Sequence, residues 1–175
     1  TLVTVNVSAF EAYFLRGDSV AWAGRAVGGE PFQQTPEFRA QMTYLVLNPT
    51  WTVPPKILTD ETLPAIRRDS TYLSRNGMVV LNRDGAAVDP STIDWDRYDG
   101  RTLPYRIVQQ PGGTNPLGRI KFVFPNAYAV YLHDTPARSL FQRPRRTFSH
   151  GCIRIERPMA LADLLQSDGY AAATD

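Results

Sequence analysis

A mainly antiparallel β domain with one C-terminal helix is the fold class this sequence predicts, and three observations predict it. In LVTVNV, Val3, Val5 and Val7 alternate with Thr4 and Asn6, the period of a half-buried strand. Runs of the same kind, MTYLVLN, RIKFVF and CIRIE, recur between turns rich in Gly, Pro and Asn. Only PMALADLLQSD changes to helical spacing. It has Pro158 at its start, Leu161, Leu164 and Leu165 on one stripe, and Gly169 as a stop.

The elements follow in order. AYFL leads into the turn cluster Arg16-Gly17-Asp18-Ser19 and then VAWAGRAV, which reads as a hairpin. MTYLVLN is a strand before the loop NPTWTVPP, where the pair Pro54-Pro55 is expected to stop any regular element. Residues 56–103 change character and read as an inserted subdomain. They hold a short helix at DETLPAIRRD, interrupted by Pro64, and a hairpin of MVVL and AAV around Asn82-Arg83-Asp84-Gly85. The polar run DPSTIDWDRYDGR follows. The apolar residues of this segment look too few and scattered for a core of their own. The loop from Pro111 to Gly118 lacks the Gly-Lys-Ser/Thr ending of a phosphate loop. RIKFVF, AYAVYLH and CIRIE then read as three strands before the helix.

The bulk numbers exclude several classes. A chain of 175 residues suits one domain and is long enough to bury a core without staples. Its hydrophobic fraction of 43% is that of a globular protein. The net charge of +2, from 19 basic and 17 acidic residues, gives no sign of a nucleic-acid or membrane-surface partner. The basic run RPRR at 143–146 reads as a solvated loop. No stretch of about 18 apolar residues is present, so no transmembrane helix is expected. The chain starts TLVTVNV without methionine and ends AAATD, the pattern expected of a domain excised from a longer protein.

The chemistry concentrates in twenty residues. Cys152 is the only cysteine, and the two histidines are His133 and His150. Strand alternation puts Val130 and Leu132 on the core face, and Tyr131 and His133 on a face open to a cleft or solvent. The same rule puts Ile153 and Ile155 inside, with Cys152 and Arg154 opposite. If the two strands are neighbours, Cys152 and His133 meet. A thiol with a reference pKa of about 8.5 is only a few per cent thiolate at pH 7, and an imidazole that takes its proton makes it a nucleophile. Gly151 lets the backbone approach a substrate and frees amide groups for an oxyanion. Ser149 and His150 would shape that turn. Two other readings stay open on these residues: a zinc site of His133, His150 and Cys152, and a structural cysteine in a non-catalytic cell-wall-binding module.

His133, fifteen intervening residues, then Ser149-His150-Gly151-Cys152 and a hydrophobic residue resembles the signature of L,D-transpeptidases, the YkuD-type catalytic domain. NPLGRIKFVFPN, YLHDTP, SLF, QTPEF and YLVLNPTW are similar to the larger Gram-negative branch, in which a lid subdomain is inserted. The resemblance covers nearly the whole chain. It implies a β-rich sandwich or barrel-like fold over residues 1–175, with 56–103 as the lid. It departs from the general pattern at Arg154, where the family often has Asn.

The resemblance also implies a periplasmic peptidoglycan enzyme without a cofactor or metal. Cys152 would attack the stem tetrapeptide at residue three and release D-alanine. An acceptor amine would then resolve the thioester into a 3→3 cross-link. His133 would be base and then acid, oriented by the backbone carbonyl of Asp134. Backbone N–H groups of His150, Gly151 and Cys152 would form the oxyanion site, with Tyr131 as a phenolic donor. Ser149 would stabilise the turn. Apart from the resemblance, strand alternation puts Arg154 on the side of Cys152, where it could pair with a substrate carboxylate or bridge to a nearby acid. Peptidoglycan stem peptides are the expected partners, and carbapenems the expected covalent inhibitors.

Overall fold

The computed structural model describes residues 1–174, in two compact units. The first is formed by residues 1–49 and the chain from Pro116 onward; the second is Thr50–Asn115.

The first unit begins with β1 (Leu2–Asn6), β2 (Glu11–Arg16), β3 (Ser19–Gly29) and β4 (Tyr44–Leu47). The second unit contributes β5 (Trp51–Thr52), three short α-helices α1 (Pro55–Ile57), α2 (Leu63–Arg68) and α3 (Tyr72–Arg75), then β6 (Met78–Leu81), β7 (Ala87–Val88) and β8 (Arg106–Gln109). The chain returns to the first unit with β9 (Ile120–Val123), β10 (Leu132–His133), β11 (Thr147–Ser149), β12 (Ile153–Ile155), α4 (Pro158–Ser167) and β13 (Ala172–Thr174).

In the first unit the strands run in the order β1-β2-β3-β12-β10-β9-β4-β13, with β11 also on β3. Most neighbours are antiparallel, but β10 runs parallel to β12, β11 to β3 and β13 to β4. Alternation decides the core. Ala12 and Phe14 of β2, Ile120 and Phe122 of β9, and Ile153 and Ile155 of β12 point to one side, where Leu161, Ala162 and Leu165 of α4 pack on them. Each of these Phe, Ile and Leu side chains contributes about 1.5–3 kcal/mol by leaving water. The α4 helix starts as its sequence predicts, with Pro158 in the first turn, and Gly169 follows its end at φ +93°.

Three expectations need correction. AYAVYLH is not a seven-residue strand: Ala129 takes φ +53°, and pairing begins only at Leu132. Pro54-Pro55 does not stop structure. Proline is tolerated in a first helical turn, where its missing N–H would be unpaired anyway, and Pro55 opens α1. The second unit does have a core of its own. Val53, Leu58, Leu63, Ile66, Leu73, Met78, Val80, Ile93 and Ile107 are buried together. A π-helical turn at Leu58–Thr62 joins α1 to α2 and breaks the 3.6-residue period that would have betrayed this stripe. The sheet of this unit runs β5-β8-β6-β7, and β6 with β7 forms the expected hairpin.

Candidate active site

The parallel pair β10–β12 builds the site. Its register sets Leu132 opposite Ile153 and His133 opposite Arg154. The Ile153 N–H donates to the Tyr131 carbonyl at 3.1 Å, so one step back along both strands Tyr131 stands level with Cys152. Leu132 and Ile153 belong to the core cluster. Residues one position away on either strand therefore face the other side. Tyr131, His133, Cys152 and Arg154 share that side. The thiol and the imidazole lie on a diagonal between rows, one strand spacing across and two residues along, roughly 8 Å between backbones.

Cys152 is half-buried. Its S–H reaches the Ala129 carbonyl at 3.8 Å, and the Tyr131 backbone and hydroxyl act on the sulfur in favour of the thiolate. Burial raises the thiol's pKa; the two Tyr131 groups and the nearby Arg154 and Lys121 cations oppose the rise without cancelling it. Burial also raises the Tyr131 phenol, and the adjacent sulfur raises it further, so the hydroxyl stays protonated and donates. The resting pair is a thiol held by a phenol.

His133 is only 4% exposed, so of the two expected settings, a cleft or solvent, it does not face solvent. The non-core side of β10 is itself covered. Loss of water, and then the Arg154 charge, push its pKa down to about 3, against the opposing pull of the Asp134 and Pro116 carbonyls, so the ring is neutral at physiological pH. Nδ1 lies 2.5 Å from the Asp134 carbonyl. A carbonyl can only accept, so the ring proton sits on Nδ1 and Nε2 carries the lone pair. The ring centroid is 5.8 Å from that of Tyr131. The Asp134 side chain acts elsewhere. Its Oδ2 accepts the Arg119 N–H at 2.8 Å, and Oδ1 meets the Arg138 guanidinium at 2.5 Å. Gly118 makes room for it. A Cβ there would collide with the Asp134 carboxylate, and the backbone φ is +61°.

The turn before Cys152 is held from several sides. Ser149 is buried; its hydroxyl donates to the Cys152 carbonyl at 2.5 Å and accepts the Gly151 N–H at 3.2 Å. The Gly151 N–H is thus committed inside the turn rather than directed outward as an oxyanion donor. Ser149 faces its own turn and not a ligand. His150 is exposed, on the outside of the same turn. Thr35 closes the loop from across the unit: its hydroxyl donates to the Gly151 carbonyl at 2.8 Å and accepts the Gly29 N–H at 3.1 Å.

Three contributors were not singled out in the sequence. Thr35 lies more than a hundred residues from the turn it holds, and no local pattern marks it. Ala129 presents its carbonyl to the thiol because Asn126 caps the preceding turn, accepting the Tyr128 and Val130 N–H groups. Lys121 was legible as the polar position between Ile120 and Phe122, but nothing said which strand would lie beside it. The three residues of the zinc reading do not converge. Among the described residues no group of three His, Cys, Asp or Glu side chains is placed to hold a metal ion.

Comparison with known proteins places this chain in a family. A protein of Haemophilus influenzae, provisionally named an L,D-transpeptidase, is 34% identical over 163 residues, 93% of this chain. The chain spans about a third (33%) of that relative's length. An L,D-transpeptidase from Mycobacterium smegmatis superposes with a TM-score of 0.46 at 15% identity, over 99% of this chain and 57% of that one. The ertapenem-acylated catalytic domain of an E. faecium L,D-transpeptidase does so with a TM-score of 0.43 at 14% identity, over 93% and 87%. Residues 1–169 match the YkuD family, the L,D-transpeptidase catalytic domain, and the chain belongs to that family.

Proposed function

We propose that this domain is a cysteine-dependent peptidoglycan L,D-transpeptidase acting on stem tetrapeptides. One observation carries the reading: in a chain of this family, a thiol, a neutral imidazole with its lone pair on Nε2 and a protonated phenol share one side of the β10–β12 pair. In the proposed step the S–H leaves the Ala129 carbonyl and turns toward His133 Nε2. Sulfur attacks the carbonyl of stem residue three as the proton passes to Nε2. The amide C–N bond breaks, the ring returns the proton to the departing amine of D-alanine, and a thioester remains. An acceptor amine then attacks the thioester, giving its proton to Nε2. The C–S bond breaks, a 3→3 amide forms and the thiol is restored.

A neutral His133 supports the base role, because a ring already protonated could not accept the thiol proton. Tyr131 supports the nucleophile by donating to the sulfur as negative charge grows there. Acylation by carbapenems and residence in the periplasm belong to the same proposal. Segment 56–103 is proposed as a capping subdomain on the resemblance alone.

Intact mass after incubation with a tetrapeptide donor tests the reading. The expected product is an adduct equal to the donor less D-alanine, absent from Cys152→Ala. An unmodified parent protein that nonetheless binds cell-wall sacculi would favour a binding module instead.

A further inference from the structure

Lys121, His133 and Arg154 stand in one row across three neighbouring strands. Lys121 on β9 pairs with His133 on β10, and His133 pairs with Arg154 on β12. Residues paired in this way share a face, so two cations flank the buried imidazole, one strand spacing of about 4.8 Å away on each side. Ile120, Phe122, Ile153 and Ile155, the neighbours of these cations along their strands, face the core.

The arrangement is costly as it stands. Like charges brought together repel, and a guanidinium taken from water needs a partner. Arg154 Nε is buried without a hydrogen-bond partner. Glu30 acts on Arg154 only at longer range. The Lys121 ammonium lies 5.5 Å from the centre of the Tyr131 ring, a contact that leaves its N–H groups without an anion. Neither cation joins an ion pair among the described residues. Two unpaired cations around a proton-transfer group are a site waiting for negative charge.

We propose that Lys121 and Arg154 form a clamp for the carboxylate of the departing residue, and that this clamp restricts donors to peptides ending in a free acid at that position. The inference rests on the donor chemistry proposed above. The imidazole that protonates the departing amine must touch that nitrogen. In an amino acid the amine and the carboxylate carbon are roughly 2.5 Å apart. A carboxylate so tethered falls beside His133, where the two cations are. The Arg154 fork can take both oxygens, while Lys121 adds a point charge from the far side of the ring. The same charges oppose protonation of His133 and lower the Cys152 pKa, so a bound anion would also reset the proton balance of the pair. A donor whose terminal carboxylate is amidated leaves both cations unpaired.

The test compares stem tetrapeptides ending in a free acid or an amide, by the rate of acyl-enzyme formation, on the parent protein, Lys121→Met and Arg154→Lys. Lys121 is half-buried and methionine keeps its stem, so that variant should fold. The parent should prefer the acid by more than about tenfold, and Lys121→Met should reduce the acid-to-amide ratio by about tenfold. Arg154→Lys keeps the charge but loses the fork and should also reduce the ratio. An unchanged ratio in Lys121→Met overturns the clamp. If the parent forms no acyl-enzyme from either peptide, the donor reading fails and the clamp is judged separately, by binding to Cys152→Ala protein. Tighter binding of the acid that disappears in Cys152→Ala/Lys121→Met upholds it; equal binding of acid and amide overturns it.

Discussion

Cys152 stands level with Tyr131, not with His133: the Ile153 N–H bonds the Tyr131 carbonyl, and the Tyr131 backbone and hydroxyl favour the thiolate. The parallel register one row further on gives His133 to Arg154. The thiol's immediate support is therefore a phenol, and the proposed base lies across a diagonal. That separation of roles makes different predictions for the two residues.

Tyr131→Phe removes one donor to the sulfur and nothing from the core. A hydrogen bond to a charged group is worth about 1.5–3 kcal/mol, so the thiol's pKa should rise by roughly one to two units. The rate of Cys152 alkylation by iodoacetamide, followed against pH, should move to the alkaline side by that amount. A profile identical to the parent's would show that the phenol does not stabilise the thiolate.

His133 links the site to acid stability. Its folded-state pKa, near 3, lies below the reference 6.5. Between those values the unfolded chain binds a proton that the folded chain refuses, so stability must fall as pH falls through this window. The carboxylates held below their ordinary pKa, such as Glu156 and Asp69, titrate mostly lower. The interval from pH 6.5 to 5 thus isolates the histidine, and a loss of about 1.6 kcal/mol is expected across it. Urea unfolding of the parent should show that slope, and His133→Gln should flatten it while losing acylation. A parent protein equally stable at both pH values would mean that His133 is less enclosed than its 4% exposure indicates.

The second unit's core gives a prediction away from the chemistry. Leu63 is 1% exposed in a cluster with Leu58, Ile66 and Ile107. Leu63→Ala should cost about 2–5 kcal/mol by lost burial and the cavity left behind. Amide exchange should quicken within residues 50–115 first. Uniform loosening of the whole chain would argue against an independent core.

Much of this was legible in the sequence, for identifiable reasons. Alternation at Ile153 and Ile155 sorted Cys152 and Arg154 to one side because a strand's period is two and the core decides the phase. It could not show that the opposite side at His133 is also covered, since a polar residue carries no mark of what lies over it. The helix α4 was legible because Pro158, the leucine stripe and Gly169 agree. The second unit's core was not, because Pro64 and a π-helical turn shift the phase of Leu58 against Leu63 and Ile66. Gly151 looked like an oxyanion donor from its neighbour Cys152. Its N–H is taken by Ser149 Oγ, a contact that depends on the turn's three-dimensional path.

Thr35 gives the last prediction, and it separates holding the turn from doing chemistry. Its hydroxyl accepts from Gly29 and donates to the Gly151 carbonyl, both in a buried setting. Thr35→Val keeps the shape but removes both bonds, stranding a buried N–H and a buried carbonyl. Each stranded group costs about 1–3 kcal/mol, so a loss of at least about 2 kcal/mol in urea unfolding is expected. Because Gly151 directly precedes the proposed nucleophile, the turn should also drift, and acyl-enzyme formation should slow more than simple alkylation of Cys152. Thr35→Ser keeps the hydroxyl and should recover both stability and acylation. Valine and serine variants that acylate at the same rate would show that the tether supports the fold without setting the position of Cys152.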